Sequence, residues 1–332
     1  MKKFLFSALA LFSLIQPQAS AEENSAEALL HQMNHASQHL NYELSYILIR
    51  KSSIEPLLYR HASIDNNHYA HLVYLSGPIR ETIRRGEEVS YIEPGADPFS
   101  IKSGHLVGPM MPMLESDITQ LSQYYDFISM GRAREAGSPT QVVRIVPKDG
   151  QRYSYLLWVD EKSKLPLRAD LLDRDGEVLE QFRAISYRVS DQIATMLAAL
   201  DEVTLPDVLT LPKQPSNDSS WTLNWTPSGF EPHPLNRYKV AMTEKVVESQ
   251  MYSDGLFSFS VYVSDTDALS LKNQIVRQGR RTLQTVINGD KEITVVGDIP
   301  PPTAIKIAKS IVFNSKAVDN KEAAPATEAV KP

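Results

Sequence analysis

The chain has 332 residues, no cysteine and a formal charge of −6 at pH 7, from 34 Lys and Arg against 40 Asp and Glu. The absence of cysteine excludes disulfides, thiol catalysis, zinc–thiolate sites and a lipidated cysteine behind a signal peptide. The acidic balance argues against a nucleic-acid partner. The length favours two domains over one, and an apolar content of 42% is sufficient for real cores.

The first 21 residues have the three parts of a secretory signal peptide. Lys2 and Lys3 form a basic start, residues 4–15 an apolar run, and residues 19–21 (ASA) a small-residue cleavage site. The run is shorter than the roughly 20 apolar residues that a membrane helix needs. We therefore expect a signal peptide at 1–21 and export to the periplasm of a Gram-negative bacterium.

Residues 25–40 have the pattern of an amphipathic helix. Its apolar stripe consists of Leu29, Met33, Ala36 and Leu40. The opposite face carries His31, His35 and His39, a spacing that can hold zinc. Gln32 follows the first histidine, where a metalloprotease helix would carry its general base, so a solvated face is the favoured interpretation.

Strand patterns then follow one another at hairpin spacing. They cover residues 42–51, 57–64, 68–75, 79–85 and 88–92, and later 126–134 and 142–147. His61, His68 and His71 lie on these strands, but no G-x-S-x-G or comparable catalytic signature accompanies them. We interpret them as structural histidines of the sheet.

Residues 151–188 form a predicted meander of three strands joined by two tight turns. Leu157, Trp158 and Phe182 must cover something apolar, which is either a packed core or a cavity. About ten strands and two helices within residues 24–190 are too many strands for a doubly wound α/β domain. A strongly bent antiparallel sheet, an incomplete barrel with helices on its concave side, accounts for this count.

Residues 104–114 (GHLVGPMMPML) combine three methionines with two prolines and two glycines. Methionine packs adaptably, while glycine and proline oppose regular structure. The segment is either a mobile apolar flap over a lipid or peptide groove, or a plug that fills the open side of the sheet.

Residues 205–220 are rich in proline and small polar residues and predict a linker. A smaller α+β domain is expected at 221–314, with a hairpin at Asn288-Gly289-Asp290 and a closing helix over residues 303–313. Residues 315–332 have almost no apolar content and predict a disordered tail.

Several separated motifs resemble one family. Residues 252–263 (YSDGLFSFSVYV) and 294–300 (TVVGDIP) resemble the C-terminal domain of the RseB/MucB family of periplasmic sigma-E regulators. Residues 77–81 (GPIRE), 152–158 (RYSYLLW), 165–167 (LPL) and 179–182 (LEQF) resemble its N-terminal domain. The motifs occur in matching order over residues 27–313.

This resemblance implies a LolA/LolB-like half-open barrel closed by helices, from residue 24 to 204, followed by a smaller α/β module. It implies binding to the periplasmic region of a membrane-spanning anti-sigma factor, RseA/MucA-like, which is thereby protected from the stress protease. Lipopolysaccharide or another envelope lipid would release the complex. No catalytic activity, metal or cofactor is implied, and homo-oligomerisation is left open.

Candidate site residues follow for the two expected ligands. The candidates for lipid binding are Met110, Met111, Met113, Leu114, Trp158, Arg80 and Arg84, where the arginines would meet phosphates. For Arg84 and Arg85, however, a solvated strand end beside Glu87 and Glu88 is the favoured interpretation. The candidates for partner binding are Tyr252, Phe257 and Phe259, although a strand of this kind must also bury one face in its own core.

Two other functions stay open at this point. A Lol-type lipoprotein or lipid carrier would share the first domain and the compartment, but would not need the second domain. A hydrolase would need paired carboxylates. The candidates for that pair (Glu87, Glu88, Asp97, Asp173 and Asp175) lie on predicted turns, and enzyme activity is the least favoured interpretation.

Overall fold

The protein is described by a computed structural model that covers residues 25–105, 110–209, 219–239, 245–268, 270 and 273–314. The predicted signal peptide, the predicted tail and residues 210–218 of the predicted linker lie outside the described residues. No helix within these ranges is both long and apolar enough to cross a membrane.

The first domain contains eleven strands in its described part. They are β1 (Tyr42–Arg50), β2 (Ser53–Ile64), β3 (Asn67–Tyr74), β4 (Glu81–Arg85), β5 (Glu88–Ile92), β6 (Phe99–Lys102), β7 (Tyr125–Glu135), β8 (Ser138–Pro147), β9 (Ser154–Asp160), β10 (Pro166–Leu172) and β11 (Val178–Val189). Its helices are α1 (Ala26–His39), α2 (Met111–Glu115), α3 (Ile118–Ser122) and α4 (Gln192–Ala198), the last continued by a 3₁₀ turn (Ala199–Glu202).

These strands form one antiparallel sheet in the order β6-β5-β4-β3-β2-β1-β11-β10-β9-β8-β7. Two meanders, β1–β6 and β7–β11, are joined where β1 pairs with β11, from Tyr42 opposite Val189 to Arg50 opposite Glu180. Strands β6 and β7 are the two edges and do not pair with each other, so the barrel stays open. The predicted half-barrel and its central meander are confirmed.

Alternation along the strands places one apolar face of the sheet on the concave side. On β1 this face consists of Tyr42, Leu44, Tyr46 and Leu48, all buried. Helix α1 begins after Ser25, whose hydroxyl accepts a hydrogen bond from the Ala28 N–H (3.0 Å), as an N-cap does. The helix packs against β2, β7, α2 and α3, and Leu30 and Met33 are fully buried.

The convex side is covered in part by α4, which packs against β2 and β3 through Ile193 and Leu197. The chain then passes along the edge of β6. The Ser100 N–H donates to the Asp207 carbonyl (3.1 Å), and the Leu209 N–H donates to the Ser100 carbonyl (2.7 Å). The first part of the predicted linker therefore covers the β6 edge of the sheet.

The second domain is built on a seven-stranded antiparallel sheet. Its strands are β13 (Glu231–Pro232), β14 (Asn236–Lys239), β15 (Val246–Ser253), β16 (Ser258–Asp265), β17 (Ile275–Gln278), β18 (Arg281–Asn288) and β19 (Lys291–Gly297). Helix α5 (Pro301–Lys309) packs on β18 and β19.

The closing helix is shorter than the predicted range of residues 303–313. Helix α5 ends at Lys309, and β20 (Ile311–Phe313) follows as a strand that pairs with β12 (Trp221–Leu223). This pairing provides main-chain hydrogen bonds for residues 311–313, and Trp221 on the partner strand is buried.

Candidate functional site at the domain junction

Asp254 lies in the turn between β15 and β16 and is fully buried against the first domain. Its Oδ1 accepts hydrogen bonds from the N–H groups of Leu256 (2.9 Å) and Phe257 (2.7 Å), which fixes the turn. Its Oδ2 is thereby directed at the first domain, where it accepts from the Tyr125 hydroxyl (2.5 Å) and from Arg152 Nη1 (2.8 Å). One carboxylate therefore joins the two domains.

Arg152 is the cation of this pair, and its side chain has no exposed surface. The guanidinium lies 4.7 Å from the ring centroid of Tyr125 and 5.6 Å from that of Phe230, and its Nη2 donates to Asp149 (3.1 Å). Burial and the neighbouring Asp254 carboxylate raise the pKa of Tyr125 well above its usual value. The phenol consequently stays protonated and serves as a donor.

An aromatic contact lies next to this ion pair. Phe257 stacks on Tyr155 (centroids 5.6 Å apart, interplanar angle 10°) and meets the edge of Tyr153 at 6.1 Å. The Tyr153 hydroxyl donates to the Ile299 carbonyl (3.1 Å), and the Thr303 hydroxyl donates to the Gln151 carbonyl (2.7 Å). The two domains thus share one continuous apolar core, with these hydrogen bonds across its boundary.

A row of alternating charges, which we call the charge belt, crosses from the first domain to the second. It consists of Arg80, Glu55, Arg50, Glu180, Arg280 and Asp298. Successive partners are 2.9, 3.3, 3.2, 3.9 and 2.9 Å apart. Glu180 has only 4% of its side chain exposed; its Oε1 accepts a hydrogen bond from Arg50 Nε, and its Oε2 forms a longer ion pair with Arg280 of the second domain. The belt is therefore a second polar link between the domains.

The motifs that carry the family resemblance meet at this junction. The segment 152–158 supplies Arg152, Tyr153 and Tyr155, and the segment 252–263 supplies Asp254 and Phe257. The sequence identified these segments, but it indicated neither the pairing of Arg152 with Asp254 nor the charge belt. The available signal was a charged residue directly before an aromatic strand, which is compatible with a buried charge partner but does not identify one.

The methionine segment reaches the interior of the first domain. Met110, Met113 and Leu114 are 6%, 2% and 2% exposed and belong to the main core. Residues 106–109 and the side chain of Met111 are outside the described part. The part of the segment that the structure describes fills the concave side of the sheet, as the plug interpretation expects.

Arg84 borders a small polar cavity of about 190 Å³ beside this segment. Its lining consists of Ser37, Gln38, Tyr59, His61, His68, Arg84, His105, Leu114 and Glu115. Glu115 Oε2 is 2.9 Å from His105 and its Oε1 is 3.5 Å from Arg84, while burial raises the pKa of this carboxyl. Arg84 is therefore a member of the barrel's inner face and not a solvated strand end.

His61 connects this cavity to the end of α1. Its Nδ1–H donates to the Leu40 carbonyl (3.0 Å), and its Nε2 lies 3.4 Å from His68 Nδ1. Burial lowers the pKa of His61 to about 4, and the positive charges of His68 and Arg84 act in the same direction. The ring is neutral and structural at neutral pH, as the sequence predicted.

Because the pKa of His61 is lowered in the folded protein, we expect the free energy of unfolding to decrease in mild acid. Unfolded His61 binds a proton near pH 6.5 and folded His61 only near pH 4, so protons favour the unfolded state below pH 6.5. We expect this residue to remove about 3 kcal/mol of the free energy of unfolding between pH 7 and pH 4. Urea unfolding across this range should show a flatter pH profile for His61→Gln. The exposed control His31→Gln should keep the wild-type slope, and equal slopes for both variants would contradict the prediction.

The two other candidates for lipid binding lie away from the methionines. Arg80 belongs to the charge belt, with its guanidinium 3.3 Å from the ring centroid of Tyr74. Trp158 alternates with the fully buried Leu157 and Val159 and so points to the convex face, where the Arg168 guanidinium stacks 4.0 Å from its ring. The structure separates Trp158 from the methionine segment by the thickness of the sheet.

The candidates for partner binding are buried in the second domain and at the junction. Tyr252, Phe257 and Phe259 are 6%, 2% and 1% exposed, and the rings of Tyr252 and Phe259 stack 5.0 Å apart. A partner reaches Phe257 only if the two domains separate. A direct role of these side chains in binding stays a prediction.

Comparison with known proteins decides the family. The MucB/RseB N-terminal domain model matches residues 25–208, and the MucB/RseB C-terminal domain model matches residues 215–312. The chain belongs to the MucB/RseB family. The matches follow the half-barrel and the second sheet in order and leave only residues 209–214 between them.

Members of this family resemble the chain over nearly its whole length. It is 46% identical over 303 residues to the sigma-E factor regulatory protein RseB of Escherichia coli K12, covering 91% of this chain and 95% of that protein. The RseB of Haemophilus influenzae is 38% identical over 310 residues, covering 93% and 98%. The MucB structure from the Pseudomonas aeruginosa MucA/MucB complex has the same fold, with a TM-score of 0.70 at 24% identity, covering 87% and 99%.

Proposed function

We propose that this protein is a periplasmic negative regulator of the sigma-E envelope stress response. It binds the periplasmic region of a membrane-spanning anti-sigma factor and protects that region from the stress protease, and it has no catalytic role. The observation that carries the proposal is the match of both family domains in order. It is supported by the similarity to a sigma-E factor regulatory protein, which covers 95% of that protein's length.

The solved structures of relatives support the choice of binding partner. MucB has been crystallised with the periplasmic part of MucA, and that structure covers 88% of this chain with a TM-score of 0.67. The corresponding partner here is a MucA/RseA-like anti-sigma factor. The predicted signal peptide at 1–21 would deliver the protein to the compartment where this region of the partner lies.

Release by lipopolysaccharide or a related envelope lipid is the second part of the proposal. A ligand that binds the free protein better than the complex weakens the complex by linkage. The cavity beside Arg84 holds only about 190 Å³, below the roughly 300 Å³ at which ligand pockets begin. Acyl chains that enter the barrel beside Arg84 would therefore have to displace side chains such as Met110, Met113 and Leu114, which makes lipid entry at this place a conformational change.

This displacement separates the regulator from a constitutive carrier. A lipoprotein carrier of the Lol type needs a cavity that is ready for acyl chains, whereas the described concave face is filled by side chains of the protein itself. The second domain packs into the same core and has no role in a single-domain carrier. The regulatory function therefore agrees better with the packing.

The test uses the mature protein and the purified periplasmic region of the anti-sigma factor from the same genome. We expect a stable complex in a pull-down and slower cleavage of the region by the stress protease. Casein cleaved by the same protease is the control, and its rate should not change. If the anti-sigma region does not bind and its cleavage is not slowed, the regulatory function is refuted.

The lipid part is tested by titrating lipopolysaccharide into the preformed complex. We expect loss of the complex with lipopolysaccharide and no loss with its deacylated polysaccharide, because only acyl chains replace the apolar plug. A complex that survives every concentration of lipopolysaccharide would refute release by this lipid and leave the binding function untouched.

A further inference from the structure

The two edge strands of the first-domain sheet differ in whether another segment of the described chain covers them. The β6 edge is covered by residues 206–209, which hydrogen-bond along Ser100. The β7 edge pairs only with β8 in the part of the chain that the structure describes. Eleven residues of edge strand, from Tyr125 to Glu135, therefore present main-chain donors and acceptors without a described partner strand.

The side chains of β7 are exposed on both faces along most of its length. Every residue from Ile128 to Arg134 is exposed, while Tyr125 and Glu135 at the two ends are buried. Ile128 and Met130 are 44% and 53% exposed and place two large apolar side chains on this edge. A strand with both faces and one edge free is suited to accept a further strand, because partner side chains can pack on either side of it.

The charges of β7 restrict which strand fits. Arg132, 76% exposed, is paired with Glu161 at 2.8 Å, and the Nε of Arg134 donates to the Gly137 carbonyl. Neither guanidinium is buried, so both can also meet an approaching carboxylate. A bulge at Met130, with Gly131 at φ +91°, bends the strand, so a partner strand has to follow this bend.

We propose that β7 binds an extended segment of the anti-sigma factor as a twelfth strand of the sheet. The segment carries apolar side chains opposite Ile128 and Met130 and acidic side chains opposite Arg132 and Arg134. This proposal rests on the proposed function, since it names the surface that holds the same partner.

Strand addition also explains how the anti-sigma segment would be protected from the stress protease. Proteases bind their substrates as extended strands through main-chain hydrogen bonds, so a segment paired with β7 offers those groups to β7 and not to the protease. Protection then needs no contact between this protein and the protease. It also needs no separation of the two domains, since β7 lies on the outer edge of the first domain.

Hydrogen exchange of the full mature protein provides the direct readout. With the periplasmic region of the anti-sigma factor added, we expect those amides of residues 126–134 that point away from β8 to exchange at least tenfold more slowly. The amides of β17, the edge strand of the second sheet, should not change and serve as the internal control. Unchanged exchange at 126–134 in a sample that contains the complex would overturn the proposal.

Matched variants separate the apolar and charged contributions. Ile128→Asp and the double change Arg132→Glu with Arg134→Glu should each weaken binding of the region by tenfold or more. The controls Ile185→Asp on β11, where Ile185 is 63% exposed, and Arg174→Glu in the β10–β11 turn should bind like wild type. Circular dichroism and thermal unfolding establish that each variant is folded.

The outcomes distinguish the two proposals. If the region binds wild type and all variants equally, the docking surface is elsewhere and the proposed function stands. If the region does not bind wild type, the proposed function itself fails. If the control variants lose binding as strongly as the β7 variants, the effect is not specific to this edge and the strand-addition proposal is wrong.

Discussion

Replacing Asp254 with alanine is expected to lower the free energy of unfolding by about 3–5 kcal/mol, one of the two largest single-residue effects predicted here. The change leaves the fully buried guanidinium of Arg152 without its main counter-charge and removes the acceptor of the Tyr125 hydroxyl. It also frees the N–H groups of Leu256 and Phe257, which hold the turn against the first domain. Urea unfolding followed by tryptophan fluorescence measures the loss.

Two further variants give this prediction its control. Asp175→Ala removes an exposed carboxylate from a turn of the first domain and should change stability by less than about 0.5 kcal/mol. The double change Asp254→Ala with Arg152→Met should recover part of the loss, because no unpaired charge then stays buried. A double variant that is less stable than Asp254→Ala alone would contradict a role for the ion pair.

The second large effect is expected at Met113, where alanine should cost about 2–5 kcal/mol. Its side chain is 2% exposed and packs in the concave core with Leu114 and α1. Truncation removes this apolar contact and leaves a cavity at the place where acyl chains would enter. Thermal or urea unfolding reports the loss, and the control Met196→Ala, at a methionine that is 46% exposed on α4, should be nearly neutral.

The same variant tests the lipid trigger. A weakened plug is easier to displace, so Met113→Ala should release the anti-sigma region at a lower lipopolysaccharide concentration than wild type. A variant that is destabilised as expected but has an unchanged lipopolysaccharide midpoint would show that the segment is a structural plug only. The measurement is made at a temperature at which the variant is fully folded.

The proposed binding edge and the domain junction lie on different parts of the first domain. The junction is fixed by Arg152, Asp254 and the charge belt, whereas the exposed part of β7 makes none of these contacts. Binding at β7 therefore leaves the junction intact, whereas a lipid that displaces α2 acts beside the junction. Ser116, which follows α2, donates to the Gly255 carbonyl (2.9 Å) in the turn beside Asp254. Movement of the plug is thus coupled by direct contact to the second domain.

The sequence by itself determined most strands of the first domain and their succession, but not β6 (Phe99–Lys102). Alternation at Tyr153, Tyr155, Leu157 and Val159 and the turns between the strands are local signals, and they gave the central meander correctly. The helix stripe of Leu29 and Met33 was likewise readable, because a period of 3.6 residues needs no knowledge of the partner. The number of predicted strands indicated the large bent sheet, and the chain length together with the proline-rich segment at 205–220 indicated a second domain.

Only the tertiary structure decided which residues meet. Arg152 and Asp254 are 102 residues apart, and no local pattern encodes the partner of a buried charge at that distance. The same holds for Trp158, whose face of the sheet depends on register, and for the C-terminal residues Ile311–Phe313, which became a strand because Trp221–Leu223 was available to pair. Local alternation fixes elements, whereas buried charges and sheet edges are satisfied by groups from distant parts of the chain.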